Sequence, residues 1–344
     1  MQVMSSLSFT VVALNGAGER VGVIRGITTY PLKGARGQPL QSCSLFAGKS
    51  TPRDREYALL RYEHIATRWP SAEGGGASEA SGAHADAILA TGEGKDSAHH
   101  SNKHLFHQLI TDPSLADFGV ELEGEHGISI LERDTGRVLA RANDVRIDAE
   151  RRRVEMLFAE RLETASPDTP PLLVSAAGRS FANVGGRETE HVLHLNCTPT
   201  IRAVRGALLG SHVDDEHAES LDAFALRFRP NIRIDDTGDG SLRAWDEFEW
   251  CGREIRVGPE AVLRVNEPTI RCPSTRVRYD DPRGERAGAL RLEPDVGVRS
   301  AFPELRASVF GRDTELKSKG SYLGLYASVI REGRVSEGDD VVLV

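Results

Sequence analysis

Cysteine is scarce in this chain: four residues in 344 (Cys43, Cys197, Cys251 and Cys272), with no C-x-x-C pair among them. That spacing excludes a disulfide framework, a zinc ribbon, thioredoxin-like chemistry and a ferredoxin-type iron–sulfur cluster. Each cysteine must be judged alone. Long apolar runs are missing too. The stretch FTVVAL near the start is far too short to span a bilayer, and no basic segment precedes it. Neither a membrane association nor a secretory signal is expected. A positive charge balance is also absent: 51 acidic against 43 basic side chains give −8, which argues against a general nucleic-acid binder. What these absences leave is a cytoplasmic globular protein in which local arginine clusters suit a small anionic ligand. Its length gives room for about two domains, each with a core.

The pattern is mainly β with some α. VGVIRGITTYPL is β-branched and ends at a proline, and GISILERDTGRVLARANDVRI reads as a hairpin turning at Asp134-Thr135-Gly136. FRPNIRIDD, REIRVGPEAVLRV and GRVSEGDDVVLV repeat the alternation of short apolar runs and Gly/Asp turns. Helices are expected at LFHQLI, around AERRRVEMLFAERL and at TPTIRAVRGALL. Many short strands with few helices predict barrels rather than a doubly wound sheet. Residues 72–104 are small, polar and unpatterned, which predicts a disordered insertion on a loop. The prolines of TASPDTPP, residues 164–171, mark the better domain boundary. The expected division is an extension over 1–19, a first domain over 20–165 and a second over 166–344.

Three signals carry little chemistry. FTVVALNGAGERVG imitates a dinucleotide loop, but its glycines at 16, 18 and 22 lack the spacing a pyrophosphate turn needs. DDTGDGSLRAWD approaches a calcium loop through Asp235, Thr237, Asp239 and Gly240, yet its twelfth position is Asp246 rather than a bidentate glutamate. A hairpin turn is the simpler reading. His191, His194 and Cys197 fall at odd spacing on a strand, which sends neighbours to opposite faces and prevents convergence on a metal. His100, His104 and His107 have no carboxylate base among them and read as a solvated face.

Four stretches remain, each combining a strand end, a turn-former and a group that binds anions or metals. YPLKG carries Lys33, PRDREYALL carries Asp54 and Arg55, RFRPNIRI carries Arg229 and Asn231, and EPTIRCPST carries Arg271, Cys272 and Thr275. In order and spacing, YPLKG, DREYALL, TRWP, FRPNI, RCPST and the closing GRVSEGDDVVLV resemble the MOSC family, named for the C-terminal domain of molybdenum cofactor sulfurase. The N-terminal β-barrel domain of its larger members, such as the mitochondrial amidoxime-reducing component, is resembled as well. The likeness covers roughly residues 20–70 and 115–344.

That resemblance implies an N-terminal β-barrel domain followed by a MOSC β-barrel, and a bound molybdenum cofactor. By motif position Cys272 would be the thiolate ligand to molybdenum and the catalytic centre, with Arg271 favouring its ionised form. Lys33 and Arg55 match the residues that hold the pterin phosphate, a lysine point charge beside a guanidinium fork. Arg229 and Asn231 match pterin contacts, and Thr189 and Thr275 match family threonines near the cofactor. Gly34 stands where the family commonly has a serine; its N–H can still approach a phosphate. The insertion after TRWP, and two extra residues between RCPSTRV and DDPRG, depart from the pattern at the rim. The implied activity is a two-electron reduction of small N-hydroxylated or N-oxide compounds. Electrons would come from a separate protein, since no nicotinamide or flavin motif is present. A non-catalytic carrier of the cofactor or its sulfur is the competing reading. Sulfurase chemistry proper needs pyridoxal phosphate and a large transferase domain, for which this chain has no room.

Overall fold

The computed structural model describes residues 18–65, 103–176, 180–181, 193–209, 219–238, 240–279 and 322–344. Residues 72–102 of the expected insertion, Thr189, His100, His191, and the TRWP and DDPRG stretches lie outside the described residues.

The strands run β1 (Glu19–Thr29), β2 (Gln38–Leu40), β3 (Ser42–Leu45), β4 (Tyr57–Leu60), β5 (Phe118–Glu123), β6 (Gly127–Glu132), β7 (Val138–Ala142) and β8 (Leu172–Ser175). They continue as β9 (Leu193–Cys197), β10 (Ile232–Asp235), β11 (Glu254–Val257), β12 (Ala261–Ile270), β13 (Tyr322–Arg331), β14 (Gly333–Ser336) and β15 (Asp340–Leu343). Among the described residues three α-helices join them: α1 (Asp148–Arg161), α2 (Thr198–Leu209) and α3 (Leu221–Leu226). No helix among the described residues is long and apolar enough to cross a membrane.

Seven strands close into a barrel in the order β10-β9-β13-β12-β11-β15-β1, and β1 returns to β10. All its pairings are antiparallel except β9 with β10, which run parallel with Ile232 opposite Leu195. A parallel pair needs a crossover, and α2 and α3 supply it. The interior follows the period-two alternation: Ile255 and Val257 of β11, Ile232 and Ile234 of β10, and Leu325 and Ala327 of β13 are all fully buried. Cys197 belongs to this core, and burial pushes its thiol well up, so it is an inert packing residue.

Barrel closure depends on β1. Its Glu19 and Arg20 face Leu343 and Val342 of β15, while its Val23, Ile24 and Ile27 face Asp235, Ile234 and Ile232 of β10. β3 likewise pairs with β14, Cys43 opposite Val335. The expected division ends an extension at residue 19 and puts residues 20–165 in the first unit; in the structure β1 is a barrel strand and β3 pairs with β14, so both bond to strands that lie after residue 165. Gly22 lies within β1, which removes the dinucleotide-loop reading of that stretch.

The other strands form smaller ladders around a second core. β5, β6 and β7 make an antiparallel meander, and β4 pairs with β8. The β6–β7 turn is the expected one, with Gly136 at φ 66°. Helix α1 lays Val154 and Phe158 onto this core, where the Phe158 ring meets Phe118 edge-on at 5.2 Å. LFHQLI is not a helix. Leu105 ends a 3₁₀ turn (Lys103–Leu105) and Phe106 bridges antiparallel to Leu60: Arg61 N donates to Leu105 O at 2.8 Å and His107 N to Leu59 O at 2.9 Å, while Leu105 and Phe106 fill a hydrophobic cluster. Those long-range bonds satisfy backbone groups that an isolated short helix would leave to water.

Candidate functional site

The site is built where the two cores meet, around Tyr30 just after β1. This ring is fully buried, and its hydroxyl donates to Pro230 O at 3.1 Å. Burial raises the Tyr30 hydroxyl beyond the usual phenol range, so it stays a protonated donor. Two guanidinium groups lie over the ring, that of Arg229 at 4.2 Å and that of Arg55 at 5.0 Å from its centroid. Desolvated cation–π contacts of this kind hold arginines without neutralising them.

The turn before β4 places Arg55. Its backbone N–H donates to Tyr30 O at 2.6 Å and its carbonyl accepts from Phe181 N at 2.7 Å, which fixes a left-handed conformation at φ 53°. Arg53 (φ 56°) and Arg229 (φ 51°) share that region. Each costs about 1–2 kcal/mol in a non-glycine residue, so the local bonds must over-determine the backbone. Arg55 is paired with Asp54, which raises its affinity for a proton against the pull of burial. Phe181 links Arg55 to Lys33: the Lys33 ammonium donates to Phe181 O at 2.8 Å. Gly34, next to Lys33, sits at φ 92°, and a Cβ there would come within 2.8 Å of Leu115 Cδ1. Only glycine fits both constraints.

Asn231, expected to touch a ligand, is fully buried and fully engaged inside the protein. Its Nδ2 donates among Thr28 O (3.2 Å), Thr51 Oγ1 (3.1 Å) and Asp54 Oδ1 (3.0 Å), and its Oδ1 accepts from His194 N at 3.1 Å. With both amide hydrogens and the oxygen committed, Asn231 braces the site rather than reading a heterocycle. Arg271 is similarly committed. It donates from Nε to Leu323 O (2.8 Å) and from Nη1 to Phe228 O (3.0 Å), and its Nη2 reaches Leu323 O and His194 Nε2. Burial pulls the Arg271 guanidinium down to about 10, which leaves it cationic at neutral pH.

Cys272 follows Arg271 and is the exposed cysteine, whereas Cys43 and Cys197 are buried and Cys251 is half-buried. Its Sγ lies 2.8 Å from Ser274 Oγ. Thr275 Oγ1 donates to Cys272 O at 3.1 Å, so Thr275 locks the turn that presents the thiol. Among the described residues, Asp54 is the one carboxylate paired with any of Arg55, Arg229 and Arg271. Arg229 Nη1 donates to Ala35 O and to Tyr279 Oη (2.8 Å), but its buried Nη2 has no hydrogen-bond partner. An orphaned guanidinium donor beside an excess of cations is the physical signature of a place for an anion.

Sequence reasoning missed Tyr30 and set His194 aside. The metal-ligand criterion discarded His194, but its partners are arginines rather than a metal. A buried aromatic flanked by two left-handed arginines leaves no local signal in the sequence. DDTGDGSLRAWD, read as a hairpin turn, is not one, because β10 pairs with β9 and β1 rather than with β11; it is a loop in which Asp236 accepts from Gly238 N, Gly240 N and Leu242 N at 2.9–3.0 Å. No three His, Cys, Asp or Glu side chains converge as a metal site among the described residues.

Residues 190–342 match the MOSC domain family. The chain carries a MOSC domain. Five of the seven barrel strands fall wholly inside the matched region, β15 does so except for Leu343, and β1 lies outside it. Among solved structures, the chain is similar to the crystal structure of YiiM from Geobacillus stearothermophilus, at 16% identity and a TM-score of 0.24. The similarity covers 44% of this chain and 53% of that one, so the chain spans about half of that protein's length. No curated protein matches the sequence. Of the candidate residues, Arg229, Asn231, Arg271, Cys272 and Thr275 belong to the MOSC domain, while Lys33, Gly34 and Arg55 precede it.

Proposed function

We propose that the chain binds the molybdenum cofactor at this joint and reduces small N-hydroxylated or N-oxide compounds with electrons from a separate protein. The observation that carries the reading is an exposed Cys272 thiol beside a set of arginines that outnumber their carboxylate partners, one of them with an orphaned buried donor. Such residues fit the group: a soft thiolate for the metal, and cationic donors for the phosphate tail. When bound, the molybdenum cofactor supplies the two-electron chemistry, and its dithiolene sulfurs supply further soft ligands. This chain's own residues bind and orient it. Cys272 offers one ligand, Lys33 and Arg55 offer charge to the phosphate, Gly34 lets a backbone N–H come close, and Arg229 Nη2 takes an anionic or carbonyl oxygen. Asn231 and Thr275 hold the frame.

The exposure of Cys272 also suits a carrier, since a partner can reach the thiol to receive cofactor or sulfur. Metal and pterin analysis of protein expressed in a cofactor-competent host tests both readings. Stoichiometric pterin with viologen-driven reduction of a hydroxylamine supports the reductase, and pterin without turnover supports the carrier. Protein free of pterin and molybdenum overturns both.

A further inference from the structure

His194 lies on β9 inside the barrel wall, 5% exposed, and every polar atom it has is engaged. Its N–H donates to Asn231 Oδ1 at 3.1 Å, and its carbonyl accepts from Asn231 N at 2.7 Å. In the ring, Nδ1 lies 3.1 Å from Arg229 O, a pure acceptor, so Nδ1 carries the hydrogen. Nε2 faces Arg271 Nη2, and the ring also meets the Leu323 backbone. A neutral ring is what the surroundings favour, burial first and the Arg271 charge second, both holding the imidazole well below the usual histidine range. The barrel makes room for this arrangement. Gly324 on β13 has φ 75°, and a Cβ there would stand 2.7 Å from His194 Nε2 and 2.1 Å from Asn196 Oδ1.

Two of the ring's contacts reach the two halves of the site. One fixes the carbonyl of Arg229, the left-handed residue whose guanidinium stacks on Tyr30 and keeps an unpartnered donor. The other fixes the guanidinium of Arg271, the residue that immediately precedes Cys272. We infer that His194 is a positioning residue that couples the cysteine side of the site to its anion-binding arginine side through the Arg271–imidazole–Arg229 bridge. The inference rests on the cofactor reading for its purpose, but not for its test. A leucine would fill the same space in a β-barrel wall, yet it would leave the Arg229 carbonyl and an Arg271 N–H without partners, which is costly in a buried place.

The test compares wild type, His194→Leu and His194→Gln, the last able to keep one donor and one acceptor. Two readouts need no metal: the affinity for inorganic pyrophosphate by calorimetry, and the rate of Cys272 alkylation by iodoacetamide at fixed pH, resolved by peptide mass. His194→Leu should weaken pyrophosphate binding about tenfold, the equivalent of one charge-assisted contact, and change the alkylation rate several-fold. His194→Gln should restore both. A melting temperature lowered in His194→Leu with either readout unmoved makes the histidine ordinary core and overturns the coupling. So does a wild type that fails to bind pyrophosphate. Should His194→Leu not fold, ring ¹⁵N spectra of wild type decide. The His194 Nε2 resonance must move on addition of pyrophosphate and on alkylation of Cys272; a resonance unmoved by either one overturns the coupling. A wild type lacking pterin, yet giving these responses, sinks the cofactor reading and leaves the bridge standing.

Discussion

Asn231 Nδ2 donates to Asp54 Oδ1 at 3.0 Å, a buried bond between residues 177 apart in sequence that joins the start of β10 to the turn before β4. Asp54 also accepts from Tyr30 N at 2.9 Å and pairs with Arg55. The Asp54 side chain is 1% exposed and that of Arg55 15%. Arg55 therefore has a structural duty besides any grip on a ligand. Arg55→Ala should strand the Asp54 charge and cost roughly 3 kcal/mol of stability, as breaking a buried pair does. Arg55→Lys should recover most of that stability while losing the bidentate fork, so its pterin retention isolates the phosphate contact. Lys33→Ala should lower retention about tenfold with a smaller stability loss. Urea unfolding and pterin analysis of the three variants separate the two effects; equal stability of Arg55→Ala and wild type would falsify the brace.

Cys272→Ala should lose molybdenum and turnover while the melting temperature of the apo-protein stays within the spread of ordinary surface substitutions, because the side chain is exposed. Cys43→Ser, Cys197→Ser and Cys251→Ser should retain metal. Of these, Cys197→Ser should lose the most stability, since it puts a hydroxyl into the barrel core. Metal analysis beside thermal unfolding checks the pair, and metal retained by Cys272→Ala sinks the ligand assignment.

Glu247 is fully buried beneath the barrel, where Thr200 Oγ1 donates to its Oε2 at 2.7 Å and its Oε1 has no partner. Burial pushes its carboxyl up from 4.5 to about 7. The folded state thus holds a proton that the unfolded chain gives up at ordinary carboxylate pH. The contribution of Glu247 to stability should be greatest below about 4.5, fall as pH rises towards about 7 and level off above it, by an amount on the order of 3 kcal/mol. Glu247→Gln should remove that slope. Urea titrations of both proteins from pH 4.5 to 8 give the difference, and parallel curves would rule the proposal out.

At Gly324 the barrel wall beside the site leaves no room for a side chain. Gly324→Ala would place a Cβ 2.4 Å from Leu195 O and 2.1 Å from Asn196 Oδ1, at a φ that disfavours any side chain. β9 or β13 must give way. The variant should lose several kcal/mol by the combined strain and clash, while Gly238→Ala in an open turn should lose about 1 kcal/mol from φ alone. Comparable midpoints in guanidinium would show that the strands can part without cost.

Local chemistry made part of this structure readable in advance. The α2 residues Thr198–Leu209 coincide with the TPTIRAVRGALL stretch, and the Asp134-Thr135-Gly136 turn needs only a glycine at positive φ. Period and turn residues act over a few positions, so a sequence displays them. Strand partners do not follow that rule. Nothing within Glu19–Thr29 says that it pairs with both β10 and β15, and LFHQLI gave up its helix where β4 offered Leu105–His107 backbone partners. At the site, the motifs pointed to Lys33, Arg55, Arg229 and Cys272 as charged or nucleophilic groups. Whether a polar residue meets a ligand or another protein group depends on neighbours far away in sequence. Asn231 and Arg271 turned inward for that reason, and His194 entered through its bonds to two arginines.

The strand that closes the barrel lies far in sequence from one of its two partners. Glu19 pairs with Leu343, so a ribosome makes every other barrel strand between β1 and β15. At about 5–20 residues per second that wait is on the order of tens of seconds, during which β1 carries an open edge. The nascent chain therefore has a window of exposure whose length is set by topology, not by stability. Its yield in the cell should respond to chaperone supply and synthesis speed, and a segment started at residue 190 would lack β1, leaving the outer edges of β10 and β15 without the strand that joins them.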